Sequence, residues 1–114
     1  MKKMYRIFLD DVRDVPMIYP DLTNEDFIVV RTYADFVVLI LKEGLPELIS
    51  FDFDLGSDAE GNILPDGLAC TKWLIYESNL DLCDFKFKVH SANPVGSKQI
   101  SGLLDNYINH LKNQ

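Results

Sequence analysis

Cysteine is scarce in this chain: only Cys70 and Cys83 occur, and they lack a metal-ligand spacing. Such thiols suit a reducing compartment and exclude a disulfide scaffold or a cysteine-built zinc site. Basic charge is also short, with 11 Lys and Arg against 18 Asp and Glu and a formal net charge of −7. A protein that tracks an extended phosphate backbone carries a basic stripe. None is visible here, so extended nucleic-acid binding is not expected, and any nucleotide ligand must be small or be held at one phosphate. No stretch nears the ~20 apolar residues that a membrane span needs. Met1-Lys2-Lys3 leads straight into a strand-length segment rather than a signal-peptide core. The expectation is a cytoplasmic protein with no membrane association. Internal repeats and low-complexity runs are missing as well, and 114 residues predict one domain, 1–114, with a core large enough to dispense with staples.

What is present is an alternation of strand-like and helix-like segments, the pattern of a parallel α/β sheet. Tyr5 to Leu9, Phe27 to Val30, Leu48 to Phe51 and Phe85 to Val89 read as strands. The stretch after the first strand holds Pro16 and Pro20 and predicts loop or one helical turn. Thr32 as N-cap and Gly44 with Pro46 as terminator bracket the next helix. Another begins near Asp66-Gly67 and carries Cys70 and Trp73 as packing residues. In the last helix Ile100, Leu103, Leu104, Tyr107, Ile108 and Leu111 form an apolar stripe of helical period, with Pro94 in the first turn. In the fourth strand Phe85, Phe87 and Val89 alternate with Lys86, Lys88 and His90, which predicts an edge strand with one wet face. The predicted fold is a truncated flavodoxin-like or receiver-like three-layer α/β domain. Its parallel strands run in the order 2-1-3-4, as right-handed crossovers require, and the fifth strand and helix are missing. The exposed edge strand offers a surface to a second copy.

Chemistry concentrates at the strand tips. Asp10 and Asp11 end the first strand, and Asp52 ends the third, followed by Asp54. In the predicted order these tips are neighbours, where open α/β sheets bind ligands. Each like-charged pair at ~4 Å and a dielectric of ~20 costs about 4 kcal/mol, which a cation would relieve. Oxygen donors select a hard ion, Mg²⁺ or Mn²⁺. Asp10, Asp11 and Asp52 are the expected ligands, and Asp54 adds a carboxylate or only its carbonyl. Arg13 is a candidate phosphate clamp, or else a surface partner of Asp10 or Asp14. His90-Ser91-Ala92-Asn93-Pro94-Val95-Gly96 leaves the fourth strand at the same rim and starts a helix. Its amides, with Ser91, Asn93 and Gly96, suit a phosphate, and His90 could protonate a leaving oxygen or serve the fold alone. Ser50 reads as a buried, satisfied hydroxyl. The segment Leu55 to Asn62 has acidic residues but misses the EF-hand spacing and reads as a mobile surface loop.

These clusters resemble response-regulator receiver domains, in which an acidic pair follows strand one, a phosphorylatable Asp ends strand three and a Ser or Thr follows strand four. Asp10, Asp11, Asp52 and Ser91 match those positions. A receiver also has an essential Lys after its fifth strand, whereas Lys98 here lies in another element. A narrower resemblance covers nearly the whole chain. Phe8-Leu9-Asp10-Asp11-Val12-Arg13, Ile49 to Gly56, Pro65-Asp66-Gly67 and His90 to Gly96 resemble the cyclic-phosphate processing receiver domains, with Phe53 standing where that family often has His. The resemblance implies hydrolysis of cyclic phosphates in small nucleotides or at RNA ends. Asp10, Asp11, Asp52 and Asp54 would serve a metal, His90, Asp52 and Ser91 would be catalytic, and Arg13, Ser91, Asn93 and Gly96 would bind phosphate. The alternative is a non-catalytic signalling module with Asp52 as phosphoacceptor or metal site. A dehalogenase-type phosphatase, suggested by Asp52-Phe53-Asp54, fits less well because that motif belongs on a first strand.

Overall fold

The computed structural model describes residues 5–113, so the Met1-Lys2-Lys3 lead-in lies outside the described residues. Four parallel strands, β1 (Arg6–Leu9), β2 (Ile28–Val30), β3 (Leu48–Phe51) and β4 (Lys86–Val89), form one sheet in the order β2-β1-β3-β4. Three α-helices, α1 (Tyr33–Glu43), α2 (Gly67–Tyr76) and α3 (Pro94–Lys112), connect or follow them. This is the receiver-like α/β arrangement expected from the sequence. No helix among the described residues is long and apolar enough to cross a membrane.

The helix limits follow from local chemistry. The Thr32 hydroxyl accepts from the Asp35 N–H at 3.1 Å, satisfying one of the orphan donors at the start of α1. Gly44 closes that helix at φ +84°, a left-handed conformation that glycine reaches without a Cβ penalty. Asp66 caps α2 through the Ala69 N–H, and Asn93 caps α3 through the Gly96 N–H.

Alternation along the central strands divides the core in two. Ile7, Leu9, Ile49 and Phe51 point to one face and pack with Phe36 and Ile40 of α1, Trp73 and Leu74 of α2, and Ile100 and Leu104 of α3. All three α-helices thus cover the same side. On the other side Phe8 packs with Val15 and Phe27, flanked by half-buried Ile18, Tyr19 and Leu22. The third layer is therefore a strap, and the region of Pro16 and Pro20 holds two single 3₁₀ turns, Val15–Met17 and Asn24–Asp26. Pro16 fits the first turn because its missing N–H is needed by no helical partner there. The edge position of β4 agrees with its pattern: Lys86 and Lys88 are exposed, while Phe87 and Val89 pack against the helix-side core. β2 is also an edge strand, and Ile28 is 41% exposed despite its apolar sequence. Cys70 and Trp73 are core residues, as their helical setting suggested.

Candidate functional site

The strand register places the acidic tips side by side. Leu9 pairs with Phe51, and Phe51 with Val89, so the next residues, Asp10, Asp52 and His90, emerge together at the carboxyl rim. Backbone bonds carry the ladder one step further: Asp10 N–H donates to Val30 O at 3.0 Å, Asp52 N–H to Leu9 O at 2.9 Å and His90 N–H to Phe51 O at 2.9 Å. Because side chains alternate, these three share the strap face with Phe8 and Ser50, two residues earlier. One ligand atom from each of Asp10, Asp52 and His90 lies within 4.8 Å of the other two.

Asp10 is fully buried. Its Oδ1 accepts the Val12 and Arg13 amides at 3.0 and 2.8 Å, closing a tight turn after β1. Its Oδ2 receives Arg13 Nε at 2.8 Å and lies 3.1 Å from His90 Nε2. Burial alone would raise its pKa, but the two amides, His90 and the Arg13 charge outweigh that and hold it below the ordinary carboxylate value. Asp52 is in the opposite condition. Burial first, and then the neighbouring charge of Asp10, push its pKa up to about 6 against the relief from the Phe53 amide and Arg13. The Arg13 guanidinium reaches both carboxylates, with Nη2 at 3.3 Å from Asp52 Oδ1. One cation thus serves two facing acids with Asp11 nearby, and Asp52 carries the remaining repulsion.

His90 is held on every side. Its ring stacks on Phe8 with centroids 4.5 Å apart and planes parallel. Nδ1 lies 2.7 Å from Ser50 Oγ, which in turn lies 2.7 Å from the Tyr19 hydroxyl. With Asp10 ionised, Nε2–H donates to it, Ser50 donates to Nδ1, and Tyr19 donates to Ser50, so a neutral imidazole satisfies the whole chain. Burial, the larger effect, lowers the His90 pKa, with Asp10 pulling the other way. The His90 side chain is 2% exposed and both nitrogens are engaged. The general-acid role expected from the sequence would require one of these bonds to open; as it stands, His90 Nε2 braces Asp10.

The remaining sequence candidates separate. The Asp11 carboxylate lies beside Gly56, where a Cβ would stand 3.2 Å from its Oδ2. Asp54 is exposed and outside the three-residue group. Ser91 Oγ accepts the Asn93 N–H at 3.0 Å, and Asn93 Oδ1 accepts the Gly96 N–H at 3.0 Å. Gly96 itself is buried against the Phe53 ring, which a Cβ would approach to 2.3 Å. The amide expected to seat phosphate at Gly96 is thus committed to Asn93. Ser91, Asn93 and Gly96 form the cap of α3. In the loop from Leu55 to Asn62, Asp58 spends its Oδ1 on the Glu60 and Asn62 amides, and Ser57 bridges Ile63, so this loop is closed on itself.

Sequence reasoning found Ser50 buried but missed that it links Tyr19 to His90. It also missed Arg31, whose Nη1 holds the Arg13 carbonyl at 2.6 Å while Nη2 pairs with Asp14 at 2.6 Å, tying the Asp10–Asp14 turn to the end of β2. A period-2 reading of β3 and β4 could have put Ser50 and His90 on one face; nothing in sequence placed Tyr19 or Arg31 there.

Comparison with known proteins gives one family. The model described as cyclic-phosphate processing receiver domain matches residues 5–106. A solved structure described as a yeast Spc42 trimeric coiled coil, amino acids 181–211, fused to another structure is similar at 15% identity and a TM-score of 0.49, covering 96% of this chain and 80% of that one. No curated protein sequence matches significantly.

Proposed function

Since this chain belongs to the cyclic-phosphate processing receiver domain family, we propose that it hydrolyses cyclic phosphates of small nucleotides or RNA ends with the help of a divalent ion. The observation that carries the reading is the meeting of Asp10, Asp52 and His90 within 4.8 Å at the rim. The donor set fits a cation. Two carboxylates face one another with a third alongside, a single guanidinium between them leaves Asp52 strained toward its protonated form, and further positive charge would relieve it. Asp10, Asp11 and Asp52 would hold Mg²⁺ or Mn²⁺, which when bound supplies Lewis acidity at a phosphoryl oxygen.

The protein's own residues do the rest. The Asp10 turn, braced by His90 and the amides of Val12 and Arg13, fixes one carboxylate without freedom to rotate. Arg13, which is partly exposed, would offset charge growing on the non-bridging oxygens. Water attacks phosphorus, the bond to one ribose oxygen breaks, and the products are a phosphomonoester and a free hydroxyl. Asp54, at the exposed margin, remains available to a substrate larger than the phosphate.

Hydrolysis of 2′,3′-cyclic nucleotides with Mg²⁺ or Mn²⁺ tests this, comparing the wild type with Asp52→Asn and Arg13→Ala. Turnover that neither substitution lowers, or no turnover with either ion, ends the proposal. The signalling alternative has its own readout: a stable phosphoryl mass on Asp52 after incubation with a small phosphodonor.

A further inference from the structure

An apolar pocket of about 240 Å³ opens between the start of α1 and the β3–α2 loop, lined by Thr32, Tyr33, Ala34, Leu55, Leu64 and Pro65. It is smaller than the roughly 300–1,000 Å³ of a site that engulfs a whole drug-sized ligand, and so suits one ring system rather than a complete nucleotide. Its walls are one aromatic ring, two leucines, a proline and an alanine, and the Thr32 hydroxyl oxygen is already occupied as the cap of α1. Such a lining grips a flat apolar face by contact and desolvation and offers little hydrogen-bond pattern to read.

Two chain segments lead from the pocket wall toward the acidic rim. Leu55 is shared with a second depression of about 180 Å³ that includes Asp54 and Gly56. Gly56 also neighbours Asp11, with 3.2 Å between Asp11 Oδ2 and the Cβ position. Thr32 directly follows Arg31, whose guanidinium reaches the Asp10 carbonyl at 3.3 Å. The wall of the pocket and the phosphate rim are thus joined through two adjacent chain segments. Exposed Ile63, beside Leu64, adds apolar surface near its lip.

We infer that this pocket is the nucleobase subsite of the same centre, so that the ligand is a nucleoside phosphate whose base lies against Tyr33, Leu55 and Leu64 while its phosphate reaches the Asp10–Asp52 rim. The inference rests on the cyclic-phosphate reading and names the part of the substrate that reading leaves open. Because the walls present apolar surface, purine and pyrimidine both enter.

Calorimetric titration with adenosine 3′-phosphate, uridine 3′-phosphate and the base-free methyl riboside 3′-phosphate, in Mg²⁺, tests it. Both nucleotides should bind about tenfold or more tighter than the base-free compound, the scale of one base contact. Leu64→Asp, a half-buried loop substitution, should remove most of that difference, as should Tyr33→Leu, which keeps an apolar side chain on α1. A short oligoribonucleotide 3′-phosphate that binds as well as the mononucleotide identifies RNA ends as the source of the base; weaker binding identifies free nucleotides. Equal affinity with and without the base, or a difference that survives both substitutions, overturns the inference even where turnover is seen. Base-dependent binding without turnover of the cyclic substrates sustains the pocket and removes the hydrolase reading instead.

Discussion

Replacing Asp52 with Asn should stabilise the metal-free protein at alkaline pH while abolishing its response to divalent ions. Burial and the charge of Asp10 lift the Asp52 pKa from 3.8 to about 6. The folded state therefore binds that proton more tightly than the unfolded chain does. This contribution to stability is complete below the unfolded value and is lost as the pH rises through about 6. At 1.36 kcal/mol per unit, the ionised carboxylate costs about 3 kcal/mol at pH 8. Asn keeps the shape and removes the charge, and the relief from Arg13 is already contained in that shift, so a net gain of about 2–3 kcal/mol is expected, roughly 8–12 °C in Tm for a chain of this size. Near pH 4 the gain should shrink to a few tenths, because the wild-type carboxylate is largely protonated there. Thermal melts of both proteins across pH 4–8, with and without Mg²⁺, decide the matter. Saturating Mg²⁺ at about 100 times its Kd should stabilise the wild type by about 2.7 kcal/mol and leave Asp52→Asn unmoved. A variant less stable than wild type at pH 8, or one with the same gain at pH 4, would refute the electrostatic argument.

Gly67→Ala should be severely destabilising, by about 3 kcal/mol or more, since its Cβ would stand 1.9 Å from the Asp52 carbonyl oxygen; an unchanged urea midpoint would contradict the packing. Gly96→Ala forces the Phe53 ring aside and should cost about 1–3 kcal/mol, much of it recovered in the double variant with Phe53→Leu, a coupling that a double-mutant cycle measures. Ser50→Ala leaves His90 Nδ1 and the Tyr19 hydroxyl without their shared partner and should cost about 1–3 kcal/mol in chemical denaturation. Asp66→Ala removes the cap on α2 and should cost about 1 kcal/mol, read from the same denaturation curves.

The strands, their order and the cap of α1 were legible in the sequence because each rests on local chemistry. Ile7-Phe8-Leu9 and Ile49-Ser50-Phe51 are short apolar runs ending in acids, Thr32 satisfies an amide three residues on, and the lysines of β4 mark its open edge; that Asn93 caps α3 emerged only from the structure. Right-handed crossovers then put the first and third strand tips together, so the acidic pair Asp10 and Asp52 could be located without coordinates. Which groups serve those acids was not legible. Arg13 lies only three residues from Asp10, yet its reach to Asp52 depends on the separation of two strands that sequence orders but does not measure. His90 looked like a free acid–base group until its ring was found pressed on Phe8 and bonded at both nitrogens, a consequence of register and side-chain alternation across strands distant in sequence. The amide of Gly96 looked open for phosphate, and the Asn93 side chain takes it. Local spacing specifies where backbone ends; the direction and company of a side chain are settled only when separate strands and loops meet.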